Sequence, residues 1–300
     1  MTTVLAAAVL LANLLPGPGD NGSSFCAEAA HSGKVGLKVA ADSSPAKYHL
    51  GMAGYTYKAY KTDAMLAEME KLGIRYLCVK AFHLPLAATD AEIADFKAKC
   101  AAHGVIPYAL GPIDMSTEEE AEKAFAFAQR FGAKLIVGVP FKTGKTEAWE
   151  DRVANLELCR KVSALCDRYD IRFAIHNHGP DMPLCFPTAE SVVAAVKDLS
   201  PRMGMCLDIA HEYRSFRDPV AAIRTYGDRI FDFHLKNLTT DATRLPDNAV
   251  PLGRGVLDLK AILSALREVG YAGSCSIEYE ADFDNNHAPL SACVDYWKNM

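Results

Sequence analysis

Four apolar stretches of this 300-residue chain each run into residues that bind metal ions or move protons. Ile175 leads into His176-Asn177-His178, and Leu207 into Asp208-Ile209-Ala210-His211. Phe233 leads into His234-Leu235-Lys236-Asn237, and Ile277 into Glu278-Tyr279-Glu280. Mixed imidazole and carboxylate donors suit manganese, cobalt, zinc or iron, whereas calcium takes an all-oxygen shell. His176, Asp208, His234 and Glu278 are therefore the expected ligands of one divalent metal ion. The plainer alternative is a hydrogen-bonded polar plug. It must still explain why costly charges are gathered at four successive apolar stretches.

Side chains alternate along a strand, so His176 shares a face with His178, and Glu278 with Glu280. The outer member of each pair is left to orient the ligand or to meet substrate. A fifth stretch, Val79-Lys80-Ala81-Phe82-His83, adds a cation and another imidazole. A metal acting as Lewis acid on a ketone, with a base beside it, is the chemistry of enolisation. Glu278, His178 and His211 are candidate bases. Lys80 and Lys236 are candidates to hold an enolate oxygen or protonate a leaving one. His83, His211, Glu280 and Arg254, the last within Gly253-Arg254-Gly255, are candidate substrate-binding residues.

These residues need a scaffold that brings strand ends together. From Tyr48 onward the sequence alternates short apolar strands with amphipathic helices. The strands are expected at 48–54, 75–81, 105–111, 134–140, 171–177, 203–208, 229–236 and 273–279. Helix starts are marked by the capping boxes Thr89-x-x-Glu92 and Ser116-x-x-Glu119, and by Asp218 before Pro219. Gly73, Gly104, Gly132 and Gly270 follow helical runs, where a left-handed residue is wanted. Met65, Leu66, Met69 and Leu72 mark one helical face. The longest helix is expected from Glu147 to Tyr169, with Leu158, Val162, Leu165, Cys166 and Tyr169 along one side. Eight such units over residues 46–300 predict an α/β single-domain (β/α)8 TIM barrel, whose active site lies at the carboxyl ends of the strands. An open doubly wound sheet would carry a glycine-rich phosphate loop after its first strand, and Gly51-Met52-Ala53-Gly54-Tyr55 is not one.

Residues 1–45 stand apart as a non-barrel leader and linker. Val4–Leu15 is apolar but, at twelve residues, too short for a stable membrane span, which needs about 20. Followed by Pro16-Gly17-Pro18-Gly19, it reads as the core of a secretory signal, with Ala27-Glu28-Ala29 as a cleavage site. No Lys or Arg precedes it. An exported protein is expected, with a cytoplasmic one as the alternative. The formal net charge of −5 argues against a nucleic-acid partner. It leaves a small-molecule substrate, and an oligomer is compatible with it. The nine cysteines form no C-x-x-C pair and several sit in apolar runs, so they are expected to be free core thiols.

Taken in order, Ile175-His176-Asn177-His178, Asp208-Ile209-Ala210-His211, His234-Leu235-Lys236-Asn237, Gly253-Arg254-Gly255 and Ile277-Glu278 resemble the xylose isomerase-like barrel superfamily. That superfamily comprises sugar phosphate isomerases and epimerases, with endonuclease IV as a relative. The resemblance spans about 250 residues and implies a divalent metal on strands 5 to 8, chelated by the oxygens of a carbohydrate substrate. It departs at one position. Ketose epimerases of the superfamily carry Glu on strand 5, where this chain has His176. An isomerase or epimerase working through an enediolate is the expected function. A lyase or dehydratase eliminating across a keto-sugar is the first alternative, and a non-catalytic sugar-binding barrel the second. The acidic charge argues against an endonuclease IV-like nuclease.

Overall fold

A computed structural model of the chain describes residues 48–141, 149–180, 186–239 and 248–300. The leader with its apolar run and cleavage motif, Cys26, Cys185 and the expected helix start at Glu147 lie outside the described residues. Eight parallel strands close on themselves in chain order, each paired with the next and β1 with β8. They are β1 (His49–Ala53), β2 (Tyr76–Val79), β3 (Ile106–Met115), β4 (Leu135–Pro140), β5 (Arg172–His176), β6 (Met203–Asp208), β7 (Ile230–Leu235) and β8 (Ser274–Ile277). The fold is a TIM barrel, as the alternation of strands and helices predicts.

The surrounding helices are α1 (Thr62–Leu72), α2 (Asp90–Ala102), α3 (Glu118–Phe131), α4 (Trp149–Tyr169), α5 (Ala189–Val196), α6 (Ile209–Arg214), α7 (Pro219–Tyr226), α8 (Leu259–Glu268) and α9 (His287–Lys298). Their start signals act locally. Thr89 and Glu92 form a reciprocal capping box on α2, and Asp218 caps α7 with Pro219 as its first residue. The box on α3 lies one residue beyond the expected place. Thr117 pairs with Glu120, while Ser116 also hydrogen-bonds the Glu120 carboxylate. Gly73, Gly104, Gly132 and Gly270 all take the left-handed conformation. On α8, Leu259, Ile262, Leu263 and Leu266 turn inward, each contributing about 1.5–3 kcal/mol by burial. Met65, Leu66, Met69 and Leu72 do the same on α1.

Two departures in strand length bear on the site. β3 runs to Met115 rather than 111, because a register irregularity between Leu110 and Ile113 lets pairing with β4 resume. Gly111 permits this: its φ is 137°, and a Cβ there would lie 2.1 Å from the Val137 carbonyl oxygen. β2, β7 and β8 are shorter than expected, so Lys80, Lys236 and Glu278 sit just beyond the last paired residues.

Candidate metal centre and active-site mouth

Strand register places the ligand-type residues side by side. Asp208 is the register partner of His234, and His176 that of Cys206 two residues before Asp208. The Glu278 amide donates to the Leu235 carbonyl, which seats Glu278 beside His234. One ligand atom from each of His176, Asp208, His234 and Glu278 can be chosen so that all lie within 4.8 Å of one another. All four residues are buried, none more than 3% exposed.

Each side chain is aimed by local structure. Asp208 is the N-cap of α6: Oδ1 accepts from the amides of Ala210 (2.8 Å) and His211 (2.9 Å). That leaves Oδ2 turned to the cluster, 3.6 Å from His176 Nε2. Asn177, in the middle of His-Asn-His, has a structural task. Its amide accepts from the Asp208 N–H at 2.7 Å and donates to the Asp208 carbonyl at 3.2 Å, clamping the end of β5 to the end of β6. His234 Nδ1 lies 2.9 Å from Glu278 Oε2.

The residues fit a metal ion on two counts. First, His176 Nε2 is a buried atom without a hydrogen-bond partner, set among the side chains of Asp208, His234 and Glu278, which native interiors rarely tolerate. Second, carboxylates outnumber cations around the cluster. Asp208, Glu278 and Glu280 are three carboxylates around the single ammonium of Lys236, which lies 3.0, 2.9 and 3.2 Å from them. Burial opposes ionisation of Asp208 and Glu278, but Lys236 and the neighbouring imidazoles outweigh it and hold both carboxyls well below the usual range. Burial also works against the Lys236 ammonium, and the three carboxylates outweigh it in turn. His176 and His211 are pushed toward their neutral forms, mainly by burial.

Above the cluster lies a pocket of 250 Å³ lined by Tyr55, Lys80, Asp114, Phe141, His176, His178, Glu278 and Glu280, among others. Lys80 is half-buried and donates to the Pro112 carbonyl, with its ammonium 5.8 Å from the centre of the Tyr55 ring. The His178 ring packs against that of His211, centres 4.3 Å apart. His211 Nε2 comes within 3.9 Å of Asp208 Oδ2.

His83, expected at the mouth, lines a different cleft, and Arg254 is not among the described residues lining the pocket above the cluster. After β2 a tight turn, with the amides of His83 and Leu84 on the Lys80 carbonyl, carries the chain away from the barrel axis. His83 Nε2 then lies 3.1 and 3.2 Å from the carbonyls of Tyr57 and Tyr60, and the ring borders a separate cleft with Thr62, Glu92 and Phe96. Arg254 is exposed on a turn held by its amide and the Pro251 carbonyl. The neighbouring Gly255 is required for packing: a Cβ there would fall 2.2 Å from Asn237 Oδ1, which accepts from the amides of Leu238 and Leu257 and gathers the loop.

One residue of the site goes unmarked in the sequence reading. Asp232 is fully buried one layer below His234, with Oδ2 4.0 Å from the unpartnered His234 Nε2. The Tyr108 hydroxyl lies 2.9 and 3.1 Å from its two oxygens and 2.8 Å from Ser276 Oγ. Burial pushes the Asp232 carboxyl up to about 6 despite His234 and Tyr108. The period-two spacing that pairs His176 with His178 also pairs Asp232 with His234, so the signal was present.

A closed parallel barrel here brings two imidazoles and two carboxylates together at its C-terminal mouth. The family profile described as a xylose isomerase-like TIM barrel matches residues 60–300, and the chain belongs to that family. An inosose isomerase of Bacillus velezensis is 25% identical over 228 residues, covering 70% of this chain and 80% of that one. An inosose dehydratase of Clostridium tetani is 27% identical over 150 residues, 45% of this chain and 48% of that one. A crystal structure of the IOLI protein with a bound zinc atom superposes with a TM-score of 0.69 at 19% identity, over 83% of this chain and 96% of that one. At that identity the likeness shows the fold alone.

Proposed function

We propose that this chain is a divalent metal-dependent enzyme that enolises a small keto-polyol and returns it as an isomer or epimer. The observation that carries the reading is the convergence of buried ligand-type atoms from His176, Asp208, His234 and Glu278 at the floor of a solvent-reached pocket. The inosose isomerase relative and the zinc-bound neighbour support it. The same ligand set accepts manganese, cobalt, iron or zinc.

When bound, the metal supplies Lewis acidity at the substrate carbonyl. The remaining tasks fall to side chains. Glu278 and His178 both line the pocket and are the acceptors available for the proton on the carbon next to the carbonyl. As that proton leaves, the C–H electron pair forms the C=C bond of an enediolate, and the carbonyl oxygen takes up negative charge. Lys236, held among carboxylates, and Lys80, on the opposite wall, place positive charge near that oxygen. Return of the proton to the former carbonyl carbon, with the proton of the adjacent hydroxyl passing to the first oxygen, gives the isomer; return to the other face of the original carbon gives the epimer. The pocket volume limits the substrate to a small molecule.

A second reading is favoured by His176. Without a carboxylate at the end of β5, the second carboxylate base of a two-glutamate epimerase is missing. Departure of a β-hydroxyl, protonated by Lys80 or His178 to leave as water, then competes with reprotonation. The inosose dehydratase relative supports this outcome.

The test is incubation of metal-replete protein with a panel of keto-polyols, including inososes and 3-keto-glycosides, in deuterated water. Loss of the α-proton signal with a new ketose or aldose supports the isomerase. An unsaturated product supports the dehydratase. No exchange in any member of the panel overturns both. In parallel, Asp208→Ala should lose bound metal by elemental analysis.

A further inference from the structure

Glu278 lies one residue past the end of β8, so the strand ladder alone does not fix its backbone. The direction of a side chain is set by the two peptide planes that flank its Cα, because φ and ψ are the only soft backbone dihedrals. In the plane before Glu278, its own amide donates to the Leu235 carbonyl at 3.0 Å, and the Ile277 carbonyl accepts from the Thr56 hydroxyl at 3.3 Å. In the plane after it, the Tyr279 amide donates to the same hydroxyl oxygen at 3.0 Å. One hydroxyl is thus donor to the first plane and acceptor from the second, with Glu278 between them. Asn177 bridges the amide and carbonyl of Asp208 in a comparable way.

Thr56 reaches these partners from 221 and 223 residues away, across the seam where the barrel closes. It is fully buried in the 3-10 turn Gly54–Tyr57 that follows β1. Gly54 lets this turn lie across the end of β2: a Cβ there would come 2.8 Å from the Cys78 carbonyl oxygen. The Thr56 carbonyl accepts from Asn286 Nδ2 at 2.8 Å, and Asn286 is fully buried just before α9. The segment from Glu278 to Asn286 is therefore anchored at both ends on one residue. Between the anchors, Phe283 packs edge-on against Tyr55, ring centres 6.0 Å apart.

We infer that Thr56 is a positioning residue for Glu278: by bridging the peptides on both sides, its hydroxyl holds the carboxylate at the cluster and fastens the segment that follows. The consequences for metal affinity and turnover rest on the metal-dependent enolisation reading above; the hold on the backbone does not.

The test compares the wild-type chain with Thr56→Val, which keeps the branched shape and removes the hydroxyl, and with Thr56→Ser, which keeps the hydroxyl. Hydrogen–deuterium exchange on the metal-free full chain reads the hold directly. In Thr56→Val the amides of 279–286 should exchange about tenfold faster or more, as expected when two hydrogen bonds are lost, while those of β4 and β5 keep their wild-type rates. No rise at 279–286, or an equal rise throughout the barrel, overturns the inference. Isothermal titration with Zn²⁺ reads the carboxylate. Thr56→Val should bind about 10–100-fold more weakly, the usual cost of losing a group that orients a ligand, with Thr56→Ser within about threefold of wild type. Wild-type affinity in Thr56→Val overturns the positioning of Glu278. No Zn²⁺ binding by the wild type counts against the metal reading instead, and exchange alone then decides the hold. With any substrate that the wild type turns over, kcat of Thr56→Val should fall by about 10²-fold, as for a reacting group displaced by about 1 Å, and KM should change less. A rise in KM with unchanged kcat overturns the positioning role. If Thr56→Val does not fold, Asn286→Ala, which frees the far anchor, takes its place: faster exchange at 279–286 is expected, and wild-type exchange there overturns the inference.

Discussion

The ammonium of Lys236 lies 2.9 Å from Oε2 of Glu278, with both side chains about 3% exposed. A cation built into the chain thus shares its carboxylate with the position where a metal ion would be held. At about 4 Å and an effective dielectric near 20, two unit charges interact by about 4 kcal/mol. Lys236→Met should therefore bind divalent metal at least about tenfold more tightly, read by chelator competition, while turnover falls. Weaker binding in this variant would mean that Lys236 organises the ligands and does not oppose the cation.

Glu278 and His178 are separated by paired substitutions. A catalytic base contributes about 10²–10⁴-fold. If Glu278 is the base, Glu278→Gln keeps an oxygen ligand, and activity drops within that range with a much smaller loss of metal. If His178→Ala instead abolishes α-proton exchange with metal content intact, His178 is the base. Lys80→Met should slow turnover with metal retained, because Lys80 stands on the wall opposite the cluster.

Asp232 is expected to hold His234 in the orientation and tautomer that ligation needs, as carboxylates behind metal-bound histidines do. Asp232→Asn should weaken metal affinity by about 10–100-fold. Tyr108→Phe should have a smaller effect in the same direction, since it removes the hydroxyl that fixes the carboxylate. Isothermal titration of the metal-free proteins measures both. Equal affinity in Asp232→Asn and wild type would show that the 4.0 Å gap does not close on binding.

Glu212 offers a pH test away from the metal ligands. Burial raises its carboxyl to about 7, against an ordinary 4.5, although the Ala189 amide donates to it. Between those values the folded chain holds a proton that the unfolded chain has lost, so stability falls as pH rises from about 4.5 to about 7 and then levels off. At about 1.4 kcal/mol per pKa unit, the loss is on the order of 3–4 kcal/mol. Glu212→Gln should match wild type near pH 4.5 and exceed it by about that amount at pH 8, measured by urea unfolding. The opposite sign would mean that the carboxylate is stabilised where it sits.

The barrel was legible because each local signal agrees with it: short apolar strands, capping residues before helices and left-handed glycines after them. The four ligand-type residues were legible as well, since each closes an apolar run. Other features were less so. Helix α6 is only six residues long, and its N-cap, Asp208, reads as a ligand before it reads as a cap; the carboxylate caps the helix with Oδ1 and keeps Oδ2 for the cluster. His83 shows the converse. Sequence distance from a strand end does not reveal which way a loop turns, and the amides on the Lys80 carbonyl decide it there.

The cysteines have a practical consequence. Cys78, Cys100, Cys159, Cys166, Cys206, Cys275 and Cys293 are buried free thiols spread over β2, α2, α4, β6, β8 and α9. Burial pushes every one of them upward, Cys100 and Cys293 to about 11 and Cys159 and Cys166 to about 12. Because the thiolate is the reactive form, these sites are shielded from alkylating reagents until their element opens. Pulsed alkylation followed by peptide mass spectrometry would then time the loosening of individual staves of the barrel, using tags the chain already carries.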